Sequence, residues 1–107
     1  MATQLRIYEI DAGHLEEFVA AWAGSVRPLR RAHGFQTRGW TVPGADRFIW
    51  LLSCAGSQGD FEARDAAYYA SPDRASLEPD PAQWIRATEH LFVEEIFPPS
   101  DEEEVLA

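Results

Sequence analysis

His90 is the residue in this chain best placed for acid–base chemistry. It stands mid-strand beside Phe92, and an imidazole there can act as a general base near neutral pH. It can equally ligate haem or a metal, although no second ligand stands at a recognisable spacing. A strand histidine that is simply hydrogen-bonded fits the same pattern. Glu94, two positions on, shares its strand face. In an apolar cavity its pKa would rise and it could shuttle protons; as half of a Glu94-Glu95 doublet near a strand end it reads equally as a solvated edge. Tyr68 can orient a phenol or carbonyl through its hydroxyl, or pack in the core. His90, Glu94 and Tyr68 are therefore the catalytic candidates.

Ligand-binding candidates come as pairs. Arg38 and Trp40 share one face of a strand, where arginine beside tryptophan can hold an aromatic or carboxylated ligand. An exposed arginine stacked on its neighbour reads the same way. Arg6 and Tyr8 repeat the arrangement on the first strand, and Tyr69 stands beside Tyr68. Trp22, Trp50 and Trp84 read as core or interface residues, His14 and His33 as surface groups, and Cys54 as a small buried hydrophobe. The chain contains no trusted Ser-His-Asp spacing, no Gly-rich phosphate loop and no HExxH. A single cysteine leaves no internal disulfide and no Cys-based zinc site. Nucleotide chemistry, a metal and a cofactor are not expected.

The elements that must position these side chains follow from periodicity. Residues 4–10 alternate and form a first strand. Leu15, Phe18, Val19, Trp22, Val26 and Leu29 then recur at helical spacing, with Pro28 kinking or restarting the helix and Gly34 stopping it. Phe35 to Val42 and Arg47 to Cys54 form a hairpin around Pro43-Gly44-Ala45-Asp46. Ser57 and Asp60 resemble a capping box and open a helix to about Tyr69. Ser71-Pro72 and Asp80-Pro81 are further cap signatures, and Thr88 to Phe97 is the last strand. The order β-α-β-β-α-β is the ferredoxin-like split motif, an α+β fold with a four-stranded antiparallel sheet. One domain is expected over residues 1–99, with an acidic disordered tail over 100–107.

Bulk composition narrows the partners. The 107 residues are 46% hydrophobic and 12% aromatic, enough for a real core in one domain. The net charge of −9 opposes nucleic acid and anionic membrane surfaces. With no signal-like N-terminus and no apolar run of spanning length, a soluble cytoplasmic protein is expected. The third strand is apolar on both faces: Phe48, Trp50 and Leu52 point one way, Ile49 and Leu51 the other. Leu91 and Val93 oppose Phe92 in the same manner. One of the two faces needs a cover, and a second copy of the sheet is the simplest.

On these residues the chain resembles NIPSNAP-like proteins. The resemblance rests on Leu5 through Ile10, Gly13 through Phe18, Trp22, Pro28, His33-Gly34-Phe35, Trp40, Trp50 and Arg64 through Pro72, and spans residues 5–96. It implies the dimeric α/β-barrel superfamily, in which two such sheets form one barrel with the helices outside and a ligand cavity lies between sheet and helices. That superfamily holds cofactor-independent monooxygenases, polyketide cyclases, isomerases and haem-degrading enzymes, so membership leaves the chemistry open. The expectation is a homodimer that acts, without a cofactor, on a small hydrophobic, aromatic or polyketide-like metabolite by proton transfer. A non-catalytic dimeric module that binds a small molecule or a protein is the alternative, and haem binding through His90 a further one.

Overall fold

The computed structural model describes residues 1–96. The acidic tail expected over 100–107 lies outside them. Four strands, β1 (Ala2–Ile10), β2 (Gln36–Thr41), β3 (Arg47–Cys54) and β4 (Ile85–Val93), form one sheet in the order β2-β3-β1-β4. All neighbours are antiparallel. This is the ferredoxin-like α+β arrangement expected from the element order. The last strand starts and stops earlier than the alternation suggested, because the turn at Pro81–Trp84 delivers the chain directly into Ile85.

The first helical run is α1 (Leu15–Ala21), a π-helical turn (Trp22–Val26) and α2 (Arg27–Ala32). The π turn has a local cause. Pro28 cannot donate to the Gly24 carbonyl, and its ring would collide with that group in a regular α-helix. Widening the turn relieves the collision, and the Arg27 N–H reaches back five residues to the Trp22 carbonyl. The run ends in a Schellman motif: the Phe35 N–H bonds the Arg30 carbonyl at 3.0 Å and the Gly34 N–H bonds that of Arg31 at 3.0 Å, with Gly34 at φ 89°. Two further helices follow, α3 (Gln58–Ala70) and α4 (Pro72–Ala75). Ser57 and Asp60 close the expected capping box on α3, and Ser71 caps α4.

Among the described residues, helices cover one sheet face only. Beneath them lie Phe48, Trp50, Leu52 and Cys54 of β3, and Tyr8 and Ile10 of β1, all buried. Phe18 and Trp22 pack on Phe48 edge-to-face, with ring centroids 5.1 and 4.8 Å apart. Gly39 allows this closeness, since a Cβ there would stand 2.6 Å from the Trp22 ring and 2.9 Å from that of Phe48. The other face carries Leu5, Ile7, Ile49 and Leu51, half-buried, with Trp40, Leu91 and Val93 exposed. This settles the strand phase: the odd-numbered residues of β1 and β3 form the uncovered side. Among the described residues no helix is long and apolar enough to cross a membrane.

Candidate functional site

A cavity of about 100 Å³ lies between the sheet and the helical run. Tyr8 and Trp50 form its floor. Phe18, Trp22, Val26 and Arg30 come down from the first helical run, and Tyr68, Tyr69 and Arg74 close it from α3 and α4. Pro81, Ala82 and Ile85 complete the wall. Phe18, Trp22, Val26 and Arg30 are each four residues apart. In a regular α-helix such a row drifts by ~40° per step; the wider π turn takes back part of that drift and brings Arg30 inward.

Arg30 is 1% exposed and Arg6, on the neighbouring strand β1, is fully buried. Both guanidinium groups donate to one carboxylate oxygen, Asp65 Oδ1, at 2.7 Å from Arg30 Nη1 and 3.1 Å from Arg6 Nη2. Both also donate to the Tyr69 hydroxyl, from Arg6 Nη1 at 3.0 Å and from Arg30 Nη2 at 3.3 Å. Arg6 Nε bonds Gln4 Oε1 at 2.7 Å. Arg30 is further stacked over Tyr68, 3.7 Å from the ring centroid, and lies 4.9 Å from that of Phe35. Burial works against the Arg6 charge, but Tyr8, Tyr69 and Asp65 around it prevail and raise its pKa. Burial likewise pushes the Tyr8 phenol up, against the pull of Arg6, so the floor of the cavity offers a neutral O–H.

The expected site residues separate into three groups. Tyr8, Tyr68 and Tyr69 line the cavity, and Arg6 reaches it through its bond to the Tyr69 hydroxyl. His90 pairs with Arg6 across β1 and β4 and shares its face, but belongs to an exposed edge strand; its ring lies 6.3 Å from that of Tyr8. Glu94, Arg38 and Trp40 are elsewhere, which corrects their assignment. Glu94 lies past the end of β4, exposed. Arg38 and Trp40 face away from the helices, because their partners Leu51 and Ile49 do; the Arg38 guanidinium sits 5.1 Å from the Trp40 ring, an exposed stack on the outer face. The residues that sequence reasoning missed are Arg30, Asp65 and Arg74, together with the cavity-facing role of Trp22 and Trp50. Arg30 and Trp22 had a signal in the Phe18-Trp22-Val26-Arg30 row, which puts an arginine on an apolar stripe; Asp65, Arg74 and Trp50 had none of that kind.

Partial burial, then the cations Arg6 and Arg30, lower the His90 pKa below 6.5, with Asp65 opposing. Between 6.5 and its own lower value the folded protein binds fewer protons at His90 than the unfolded chain does, so this contribution to stability is present above 6.5 and is lost as pH falls from there through the folded-state value. An NMR titration of the imidazole is expected to show a midpoint below 6.5, moving up in an Arg6→Met variant.

No family model matches the sequence, and the curated proteins yield no match either. Solved structures do match. A NIPSNAP domain protein from Burkholderia xenovorans superposes with a TM-score of 0.77 at 19% identity, over 92% of this chain and 99% of that one. A NIPSNAP family protein from Agrobacterium tumefaciens gives 0.76 at 12% identity, over 95% and 97%. An antibiotic biosynthesis monooxygenase gives 0.67 at 10% identity, over 90% and 99%. The chain thus has the fold of NIPSNAP-domain proteins, as the resemblance implied. At these identities the likeness is one of fold, and the chemistry must come from the site.

Proposed function

We propose that the chain is a cytoplasmic, cofactor-independent enzyme that removes a proton from a small hydrophobic metabolite, as the first step of a cyclisation, isomerisation or oxygenation. The observation that carries this reading is the cavity itself: aromatic walls with the buried Arg30 guanidinium among them, and a second buried guanidinium, Arg6, bonded to the same Asp65 carboxylate. Aromatic walls bind the body of a hydrophobic molecule. When the C–H bond of a carbonyl compound breaks, its electron pair moves to the carbonyl oxygen, and fixed buried positive charge stabilises that oxygen more than it would in water. Asp65 is already held by both arginines and serves as their counter-ion. His90 is the group assigned to take the proton; its ring lies 6.3 Å from that of Tyr8, which lines the cavity. In this reading Tyr68 and Tyr69 orient the substrate.

The test is deuterium incorporation from D₂O into small 1,3-dicarbonyl compounds such as pentane-2,4-dione, followed by proton NMR. Exchange above the buffer rate is expected, and His90→Gln should slow it by about 10²-fold or more. Undiminished exchange in that variant removes His90 from the mechanism. Binding without exchange in the wild type would favour a non-catalytic binding module. One observation already leans that way: no lining residue of the cavity is a free base.

A second copy of the chain is proposed as the cover of the outer sheet face. Supporting it are the row Leu51-Leu5-Leu91 across three adjacent strands and the exposure of Trp40, Leu91 and Val93.

A further inference from the structure

We infer that the cavity selects small organic monoanions, carboxylates or enolates, over neutral molecules of the same shape. The inference deepens the small-molecule reading above and rests on it for the cavity's role, but it requires no turnover.

Charge is the first observation. Two cations, Arg6 and Arg30, share one carboxylate, Asp65, so the inner end of the cavity carries one positive charge in excess. Arg74, on the opposite wall, does not alter that sum, because Asp80 Oδ1 pairs with it at 3.1 Å.

Unpartnered donors are the second. Among the described residues, Trp22 Nε1, Trp50 Nε1 and Arg30 Nε are buried with no hydrogen-bond partner in bonding geometry, the Tyr8 hydroxyl lying near Trp50 without closing a bond. All three residues line the cavity. Each of these groups is an N–H that can only donate, so they cannot satisfy one another. Buried donors normally have partners, and three unpaired ones around a single space indicate an acceptor that belongs there. The Tyr69 oxygen already accepts from Arg6 and Arg30, so that hydroxyl has only its proton to give. Burial keeps the Tyr8 phenol protonated, a further donor.

An anionic oxygen pair is the acceptor that fits both observations. It balances the extra charge and accepts from several N–H groups at once. A neutral amide of equal size brings one carbonyl oxygen, no charge, and an NH₂ that faces other donors. Space sets the size. A cavity of about 100 Å³ holds roughly three waters at ~30 Å³ each, which corresponds to a short-chain carboxylate or to the carboxylate end of a longer one.

The experiment is a titration of the full-length ¹⁵N-labelled chain with sodium propionate and, separately, propionamide, at equal ionic strength. The readout is the indole N–H resonances of Trp22 and Trp50. Propionate is expected to shift both indole signals, and to bind at least tenfold more tightly than propionamide. Trp50→Phe, which keeps an aromatic ring and deletes one donor, should weaken propionate several-fold and propionamide less, narrowing the preference between them. Arg30→Lys, which keeps the charge and deletes the Nε donor, should do the same. Equal affinity for the two compounds would overturn the anion selectivity and leave the small-molecule cavity standing. Absence of binding by either would remove both readings. Propionate shifts that spare the Trp22 and Trp50 indoles would place the anion elsewhere and also overturn the inference.

Discussion

Replacing Asp65 by asparagine is expected to lower folding stability by about 3 kcal/mol and the melting temperature by roughly 15 °C. The substitution keeps the side chain's shape and an oxygen but removes the charge that two buried guanidinium groups share. Arg6 and Arg30 cannot shed their protons, so both would remain buried cations facing a neutral amide. The side chain of Asp65 is 24% exposed, and water reaching it places the loss at the lower end of the range for breaking a buried ion pair. Thermal melts followed by near-ultraviolet circular dichroism check the value. Adding Arg6→Met to Asp65→Asn should restore part of the loss, because one unpaired cation is then replaced by an apolar side chain of similar length. A melting point within about 2 °C of wild type for the single variant would show that the cluster does not depend on that carboxylate.

Leu51→Asp is expected to leave the chain monomeric by breaking the proposed dimer. Leu51 sits mid-strand on the outer face, paired with Leu5 on one side and Arg38 on the other. Across a two-fold axis every substitution appears twice, so the variant puts two carboxylates into the interface. It also forfeits about 2 kcal/mol of apolar burial at each copy. Together these should raise the dissociation constant by about 10³-fold or more. Light scattering coupled to size exclusion is expected to give twice the chain mass for wild type and the single mass for the variant, with the helical circular dichroism retained. A monomeric wild type would show that the outer face has another cover.

Much of the fold was legible because each element carries its own local signal. The alternation of Arg47–Cys54, the Ser57 and Asp60 box and Gly34 after a basic turn all act over a few residues. The site was legible only where a side chain and its strand partner share a known face. Arg6 and Tyr8 were found because β1 alternates cleanly. Arg38 and Trp40 alternate just as cleanly, yet which face the helices cover is decided by packing far along the chain, and that placed them outside. Arg30, in the last turn before Gly34, was hidden for a different reason. A basic residue in the last turn favours the helix dipole wherever its side chain points, so the local signal carries no information about direction. Asp65 was hidden similarly, since an acid in mid-helix looks solvated until its partners on β1 and α2 are known.

The π turn at Trp22–Val26 gives the chain's length a meaning of its own. Its extra residue sets the phase of everything that follows in the helical run. Restoring a regular helix with the residue count unchanged would turn Arg30 by roughly 80° from the Trp22 face and away from Asp65, whereas deleting one residue of the turn as the helix regularises would keep it facing inward. Among chains of this architecture, an inward arginine is therefore expected either with the π turn or with a gap of one position in this helix, even where little other sequence is shared.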